Sequence, residues 1–176
     1  TKINGQFESD GIIPFMEIFN KVTEGVSQGG SRKGALMMSL SCNHKQIKDF
    51  IHIKSKTDKI NKANLSVEVD DSFMNAVSEY YKSGKTVELN IKEEYQNNVV
   101  EYSFKPIEIY KEIMKLAYDW AEPGIIFTDV FRNYNLMEFI DEYEIVTGNP
   151  CFAGDMKLLT EDGYKTFNEL CNTKIK

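Results

Sequence analysis

The stretch Asn64-Leu65-Ser66-Val67-Glu68-Val69-Asp70-Asp71 decides the fold class of this chain. Before the aspartates its apolar residues alternate with polar ones, which is the period of a strand buried on one side. Asp71 is suited to cap a helix whose apolar residues continue at helical spacing towards Gly84, a residue that favours a helix end. The stretch therefore predicts a strand followed at once by a helix.

The amino-terminal side of this unit repeats the alternation of helix and strand. Pro14 is suited to the first turn of an amphipathic helix that ends near Gly25. Residues 35–40 are predicted to form a buried strand. Asn43 is expected to cap the next helix, with Gln46 placed to close the cap.

The carboxyl-terminal side continues the same pattern. Residues 87–91 and 99–104 alternate in polarity and predict a β-hairpin. Pro106 begins the longest predicted helix, whose apolar face includes Trp120, and residues 125–127 form a short strand after it. Because helices and strands alternate along the chain, the predicted class is α/β.

Composition limits the function classes that need to be considered. The 176 residues carry a formal net charge of −6, which disfavours a general nucleic-acid-binding surface. No apolar run approaches the ~20 residues that span a bilayer, so no membrane partner is expected. The three cysteines form no disulfide-like pattern and indicate a reducing cytoplasm. Since Thr1 follows neither an initiator methionine nor a signal pattern, it is expected to lie inside a longer gene product.

Five stretches occur in a characteristic order along the chain. They are Gly11-Ile12-Ile13-Pro14-Phe15, Ser27-Gln28-Gly29-Gly30-Ser31-Arg32-Lys33-Gly34-Ala35, Asn64-Leu65-Ser66-Val67, Pro123-Gly124-Ile125-Ile126-Phe127 and Thr147-Gly148-Asn149-Pro150-Cys151. In this order they resemble the large catalytic subunit of ribonucleotide reductase. The sequence Arg32-Lys33-Gly34-Ala35-Leu36-Met37 is most similar to that of the adenosylcobalamin-dependent class.

This resemblance implies that residues 1–150 form part of the family's α/β barrel, in an enzyme that reduces ribonucleoside diphosphates through a thiyl radical. Cys151 falls at the thiyl position, and Asn149 falls at the residue that hydrogen-bonds the ribose hydroxyls. Where the family has a glutamate two residues beyond the cysteine, this chain has Ala153. The implied cofactor is adenosylcobalamin, with no binding residue identified, and the implied assembly is a homodimer. Triphosphate substrates and a separate radical-generating subunit stay open as alternatives.

The glycine-rich loop matches the family's specificity loop, which would pass information from a dNTP or ATP effector to the substrate base. The residues predicted to form it are Gln28, Gly29, Gly30, Arg32, Lys33 and Gly34. The glycines permit unusual backbone angles and close approach to a ligand. Arg32 offers a planar fork of donors and Lys33 a point charge, so Gln28 and Arg32 are the expected ligand contacts. Without the resemblance, such a loop is also typical of an ordinary solvated turn.

From Cys151 onward the chain resembles the first block of an intein. The matching stretches are Cys151-Phe152-Ala153-Gly154-Asp155, Leu158-Leu159, Thr160-Glu161-Asp162-Gly163 and Phe167-Asn168-Glu169-Leu170. On this reading residues 151–176 are a short β-type segment, Pro150 and Cys151 form the splice junction, and the Cys151 sulfur attacks the Pro150 carbonyl. The remaining reductase and intein segments would be partners. The histidine block and the terminal asparagine of inteins are not found in these residues. The remaining intein would act in trans if Lys176 is a genuine end, and a truncated sequence is the more ordinary explanation.

Less specific readings stand beside these. Cys151 can be a structural thiol, and the whole chain can be a nucleotide-binding module without catalysis. The pair Cys42 and His44 has a spacing that fits no common zinc pattern, so no metal site is predicted. The acidic pair at residues 70–71 is typical of the start of a helix, which is the less specific interpretation of these residues.

Overall fold

The computed structural model describes residues 2–3, 7–8, 10–28, 32–95, 98–134, 155–160 and 163–171. The chain divides into two units, Thr1–Asn135 and Leu136–Lys176. The helices of the first unit are α1 (Ile13–Gly25), α2 (Ile47–Lys56), α3 (Asp71–Ser83), α4 (Pro106–Trp120) and α5 (Thr128–Asn133). Its strands are β1 (Lys2–Ile3), β2 (Phe7–Glu8), β3 (Ser27–Gln28), β4 (Arg32–Lys33), β5 (Leu36–Ser41), β6 (Ala63–Val69), β7 (Leu89–Tyr95), β8 (Asn98–Phe104) and β9 (Gly124–Phe127).

The centre of the first unit is a three-stranded parallel sheet with the order β5-β6-β9. The chain passes from β5 to β6 through α2, and from β6 to β9 through α3, the β7–β8 hairpin and α4. Parallel neighbours require crossovers of this length. The predicted α/β class is therefore confirmed. Among the described residues these strands do not close a barrel, so the expected barrel is seen only as an open sheet.

One face of this sheet is apolar and covered by helices. Leu65, Val67 and Val69 of β6 are at most 2% exposed, as the two-residue period predicts. They join a buried cluster to which the helices contribute Met16, Ile47, Phe50, Ile51, Ile53, Phe73, Val77, Ile107, Ile109, Ile113 and Leu116. Removing this apolar surface from water is the main stabilising contribution to the unit.

Helix α1 begins with Pro14 in its first turn and ends at Gly25, as predicted. Its apolar stripe points outwards: the side chains are between 56% and 62% exposed. These side chains, the α1 stripe, are Phe15, Ile18, Phe19, Val22 and Val26. The amphipathic pattern thus identifies the helix without identifying the side that packs on the sheet.

The side of α1 that packs on the protein carries Met16 and a buried polar residue, Asn20. The Asn20 side-chain amide donates to the Lys59 carbonyl at 3.0 Å. Its oxygen accepts from the backbone N–H groups of Asn61, at 3.1 Å, and Lys62, at 2.8 Å. These bonds satisfy the buried amide and attach α1 to the connection between α2 and β6.

The start of α2 differs from the prediction. Its N-cap is Gln46, with no side-chain cap hydrogen bond, and residues before it form turns. The Gln46 Oε1 instead accepts from the backbone N–H of Ile12 at 3.1 Å. The predicted cap by Asn43 was wrong, because the Asn43 amide bonds to Asp70. Long-range partners have replaced the local cap.

Helix α3 confirms the predicted element and shifts its cap by one residue. Asp70, rather than Asp71, is the N-cap, and its carboxylate accepts from the Phe73 backbone N–H at 2.7 Å. Gly84 ends the helix with φ of 75°, in the left-handed region that glycine favours. The less specific interpretation of these aspartates, that they mark the start of a helix, is confirmed.

The β7–β8 hairpin and α4 follow as predicted, with one difference in α4. Glu93 lies opposite Val100 in the antiparallel pairing of the hairpin. In α4 the buried side includes Ile109, Ile113 and Leu116, whereas Trp120 is 58% exposed. The predicted apolar face was therefore rotated around the helix axis.

The described part of the second unit is a hairpin followed by a short helix. It consists of β10 (Lys157–Thr160), β11 (Gly163–Thr166) and α6 (Phe167–Cys171). Thr166 and Glu169 form a reciprocal cap: the Thr166 N–H donates to Glu169 Oε2 at 2.7 Å, and the Glu169 N–H donates to Thr166 Oγ1 at 3.3 Å. The hydrogen bonds that the Thr166 N–H and hydroxyl donate to the Glu169 carboxylate lower its pKa. The assignment of this segment to an intein stays a prediction.

None of the helices in the described ranges combines the length and the apolarity that crossing a membrane requires.

Candidate functional site

The second face of the β5-β6-β9 sheet is polar. In register, Ser39 lies opposite Ser66, and Ser66 lies opposite Gly124, where an added Cβ would meet the Ser66 hydroxyl at 3.3 Å. Paired residues on neighbouring strands point to the same side of a sheet, and successive residues point to opposite sides. The side chains opposite the apolar cluster, which we call the polar face, are therefore Met37, Ser39, Ser41, Asn64, Ser66, Glu68 and Ile126, with Gly124 in the same set.

A carboxylate lies half-buried within the polar face. The Ser39 hydroxyl donates to Glu68 Oε1 at 2.5 Å and links the side chains of β5 and β6. An ionised carboxylate has acceptor positions for about four hydrogen bonds, and Ser39 fills one of them. Glu68 was predicted only as a polar strand residue. Its alternation with the buried valines places Glu68 on the opposite face of the sheet, and this could be read from the sequence. Its hydrogen-bond partner could not, because Ser39 is 29 residues away.

The carboxyl ends of the three strands form a second polar region. Asn43 Nδ2 donates to Asp70 Oδ2 at 2.7 Å. The Asp71 N–H donates to Asp129 Oδ2 at 2.7 Å, and the Thr128 hydroxyl donates to the Val69 carbonyl at 3.0 Å. These bonds cap α3 and attach the start of α5 to the end of β6. Their partners are all within the protein, so the region is structural.

Cys42 and Tyr102 lie at the same edge. Cys42 is 1% exposed, and burial raises the pKa of its thiol to about 11. Such a thiol is protonated at neutral pH and is a poor nucleophile, so Cys42 is a packed core residue. The Tyr102 hydroxyl donates to the Asn43 carbonyl. Burial, with the nearby Glu93 carboxylate, raises the pKa of Tyr102 to about 12.

The two ends of the predicted specificity loop pair with each other as short strands. β3 and β4 are antiparallel, with Gln28 opposite Arg32 and Ser27 opposite Lys33. The side chains of these four residues, and all of residues 29–31, lie outside the described part. Backbone pairing thus places the two predicted ligand contacts, Gln28 and Arg32, opposite each other.

Gly34 lies close to the last turn of α1. A Cβ added at Gly34 would meet the carbonyl oxygens of Thr23 at 3.0 Å and Val26 at 3.1 Å. Backbone atoms cannot move aside as easily as a side chain, so a larger residue here would force the end of α1 to shift. The loop therefore leaves α1 and returns against it.

The predicted site residues Asn149, Pro150 and Cys151 lie outside the described residues, as does Ala153. Their roles stay predictions from the motif.

The two histidines are engaged in hydrogen bonds within the first unit. His44 Nδ1 accepts from the Gln46 N–H at 3.0 Å. His52 Nε2 lies 3.1 Å from Glu112 Oε2, and Lys48 Nζ lies 3.3 Å from Glu112 Oε1. This cluster joins α2 to α4, and its carboxylate partner was missed because it is 60 residues from His52. Over the described ranges, no group of three or more His, Cys, Asp or Glu residues could hold a metal ion.

The family comparison covers most of the chain. A model of the barrel domain of ribonucleotide reductase matches residues 1–153. This chain belongs to the ribonucleotide reductase family. The match includes the loop, the parallel sheet and the Asn149-Pro150-Cys151 motif, and it ends just after Cys151.

Relatives of this reductase chain come from archaea, bacteria and a virus. The vitamin B12-dependent ribonucleoside-diphosphate reductase of Thermoplasma acidophilum is 32% identical over 152 residues, covering 86% of this chain and 18% of the relative. The Mycobacterium tuberculosis protein of the same name is 28% identical, covering 86% of this chain and 20% of the relative. The ribonucleoside-diphosphate reductase large subunit of Invertebrate iridescent virus 6 is 24% identical, over 96% of this chain and 18% of its own length. The chain thus spans about one fifth of these relatives.

Proposed function

We propose that the protein containing this chain is a ribonucleoside-diphosphate reductase of the cobalamin-dependent class. The family match over residues 1–153 carries the proposal. The names of the Thermoplasma and Mycobacterium relatives support the substrate and the cofactor. The parallel sheet with one polar face agrees with a barrel whose interior receives a polar substrate.

In this proposal Cys151 carries the thiyl radical and Asn149 hydrogen-bonds the ribose hydroxyls. The thiyl sulfur takes the 3′ hydrogen atom from the ribose, and the 2′ hydroxyl leaves as water. The family's reducing cysteine pair, elsewhere in the full-length protein, supplies two electrons and becomes a disulfide, after which the hydrogen atom returns to the 3′ carbon. Gln28 and Arg32 contact the effector, a dNTP or ATP, and the substrate base. Their backbone pairing supports a joint role, because one ligand can reach both residues.

No cobalamin-binding residue is identified among the described residues. Each histidine has one ring nitrogen engaged within the chain, and the described ranges hold no group of three or more His, Cys, Asp or Glu residues that could hold a metal ion. Adenosylcobalamin, when bound elsewhere in the whole protein, supplies the initiating radical. No step proposed for this chain depends on where it binds.

The test is an assay of the full-length protein. Reduction of CDP and CTP is measured with adenosylcobalamin present and absent, and with added effector. We expect diphosphate reduction that requires the cofactor. Reduction that proceeds without it, or a preference for CTP, would correct the class or the substrate, and no reduction at all would overturn the function.

The loop is tested separately with the two arginines of the chain. Arg32→Ala is expected to weaken the effector response by ~10-fold or more, since a charge-assisted hydrogen bond is lost. Arg132→Ala is the matched control, because Arg132 is 67% exposed and lies in α5. Equal responses in the two variants would remove the assignment of the specificity loop.

A second candidate function is self-processing at Cys151. It is favoured by the end of the family match at residue 153 and by the separate unit that contains the β10–β11 hairpin. The Cys151 sulfur attacks the Pro150 carbonyl carbon, the peptide C–N bond breaks, and a thioester forms. The thiol proton passes to the released amine. In this reading residues 1–150 belong to the reductase and residues 151–176 begin an intein.

Mass spectrometry after incubation with a small thiol tests this second candidate. A released fragment ending at Pro150 is expected, and Cys151→Ala should abolish it while Cys42→Ala should not. An intact wild-type chain, even with the remaining intein segment supplied, would remove the self-processing function.

The homodimer is also part of the proposal, and the α1 stripe supports it. Five adjacent apolar side chains are more than half exposed, and a patch of this kind is typical of an interface. A helix face without charges can pair with its own copy around a two-fold axis. Phe19→Asp is expected to convert the full-length dimer to monomer in sedimentation, whereas Tyr118→Asp, at a residue 91% exposed on α4, should not. A dimer unaffected by Phe19→Asp would place the interface elsewhere.

A cytoplasmic location completes the proposal and rests on cysteine usage, including the free buried Cys42.

A further inference from the structure

The Ser39–Glu68 pair on the polar face offers only hydrogen-bond acceptors to a ligand. The Ser39 hydroxyl donates its single proton in the hydrogen bond to Glu68 Oε1, so its oxygen can only accept a further hydrogen bond. The carboxylate likewise accepts and does not donate. A ligand that meets this pair must therefore bring donors, such as hydroxyl or amino groups.

The described side chains of the polar face supply no cation for an anionic ligand group. The side chains of the polar face include no lysine, arginine or histidine. A phosphate beside Glu68 would meet a like charge without a compensating cation. Of the two ends of a nucleotide, the nucleoside end therefore suits the described residues of this face better than the phosphates do.

The setting of the pair differs from that of the other serine–glutamate pairs. Ser103 donates to Glu88 at 2.5 Å and Ser83 donates to Glu79 at 2.8 Å, but both of those pairs are exposed. The Ser39–Glu68 bond is partly buried and joins two neighbouring strands on the face away from the helices. A partly dehydrated carboxylate with unfilled acceptor positions is costly unless another donor reaches it.

We propose that Glu68 contacts the nucleoside part of the substrate and accepts a hydrogen bond from it, with Ser39 as its positioning residue. This inference rests on the proposed reductase function. The donor is a ribose hydroxyl or an exocyclic amino group of the base. Glu68 thereby adds a substrate contact on β6 to the residues assigned from the motif.

The experiment uses the full-length reductase with Glu68→Gln, and with Glu88→Gln as the matched control from an exposed pair of the same length. We expect Glu68→Gln to lower kcat/KM by ~10- to 100-fold, since a hydrogen bond to a charged group is lost. Glu88→Gln should leave kcat/KM within ~2-fold. Thermal unfolding of both variants establishes that they are folded.

The substrate base distinguishes the two sources of the donor. UDP has no exocyclic amino group, whereas CDP has one. An equal loss for UDP and CDP identifies a ribose hydroxyl, and a loss confined to CDP identifies the amino group. Both outcomes support a substrate contact by Glu68.

Ser39 is tested by rescue. Ser39→Ala is expected to raise KM for the nucleotide, and Ser39→Thr, which keeps the hydroxyl, should restore it. A merely structural role would lower the unfolding temperature without this split between KM and kcat.

The inference and the proposed function can fail separately. If the wild type reduces nucleotides and Glu68→Gln matches Glu88→Gln for every substrate, the inference is wrong and the function stands. If the wild type reduces none, both are wrong.

Discussion

The two faces of the β5-β6-β9 sheet come from the same strands and have opposite characters. On β6, Val67 is 0% exposed beneath the helices, while its neighbour Glu68 is half-buried on the polar face. The apolar face is closed by packing, and the polar face holds a carboxylate whose acceptor positions are only partly filled. The comparison separates the residues that stabilise the fold from those available for a ligand.

The strongest test of the comparison is to remove a large side chain from the apolar side. Phe73 of α3 is 0% exposed, and its ring centroid lies 6.5 Å from that of Phe104. Phe73→Ala is expected to lower the free energy of unfolding by ~3–5 kcal/mol, because it leaves a cavity. Urea denaturation measures the loss. Tyr81→Ala, at a residue 64% exposed on the same helix, should cost less than ~1 kcal/mol. Similar losses in the two variants would contradict this account of the core.

Adjacent residues of β6 give a sharper comparison of the faces. Val67→Ala is expected to destabilise the chain by about 2 kcal/mol, since two buried carbons and some packing are lost. Ser66→Ala changes the polar face and should alter stability by only ~0.5 kcal/mol. The same urea measurement applies to both. A larger loss at Ser66 than at Val67 would mean that the faces have been assigned the wrong way round.

The smallest expected effect concerns the edge where the hairpin contacts the end of β5. Because the fold raises the pKa of Tyr102 from 10.0 to about 12, the protonated hydroxyl stabilises the folded state. This contribution, ~1 kcal/mol for one hydrogen bond, is complete below pH 10 and is lost as the pH rises through about 12. Unfolding free energies of wild type and Tyr102→Phe should therefore converge across that interval. A difference that stays constant with pH would exclude titration of this hydroxyl.

Much of the fold follows from local patterns in the sequence. The alternation in β6, the proline in the first turn of α1 and the glycine after α3 each depend on a few neighbouring residues. These signals predicted the elements and most of their ends. Asp70 is the N-cap of α3, although Asp71 was predicted. Either aspartate has a carboxylate that can accept a backbone hydrogen bond at the start of a helix, and the residue at which the helical backbone begins decides which one does.

What the sequence did not predict depends on distant residues. Asn20 is buried because three backbone groups 39 to 42 residues away bond to it. The outward stripe of α1 and the exposed Trp120 show that an apolar helix face need not be the face that packs on the same chain. The Ser39–Glu68 pair depends on strand register, which no local pattern contains.

The pairing of β3 with β4 restricts how this loop can vary in length. Gln28 lies opposite Arg32, with only residues 29–31 between them. In paired strands, a shift of one residue turns a side chain to the opposite side. Adding or deleting a single residue at the tip would therefore shift Gln28 and Arg32 out of their backbone register without changing either residue. Related proteins can exchange the residues of this tip, but those that keep this register should keep its length.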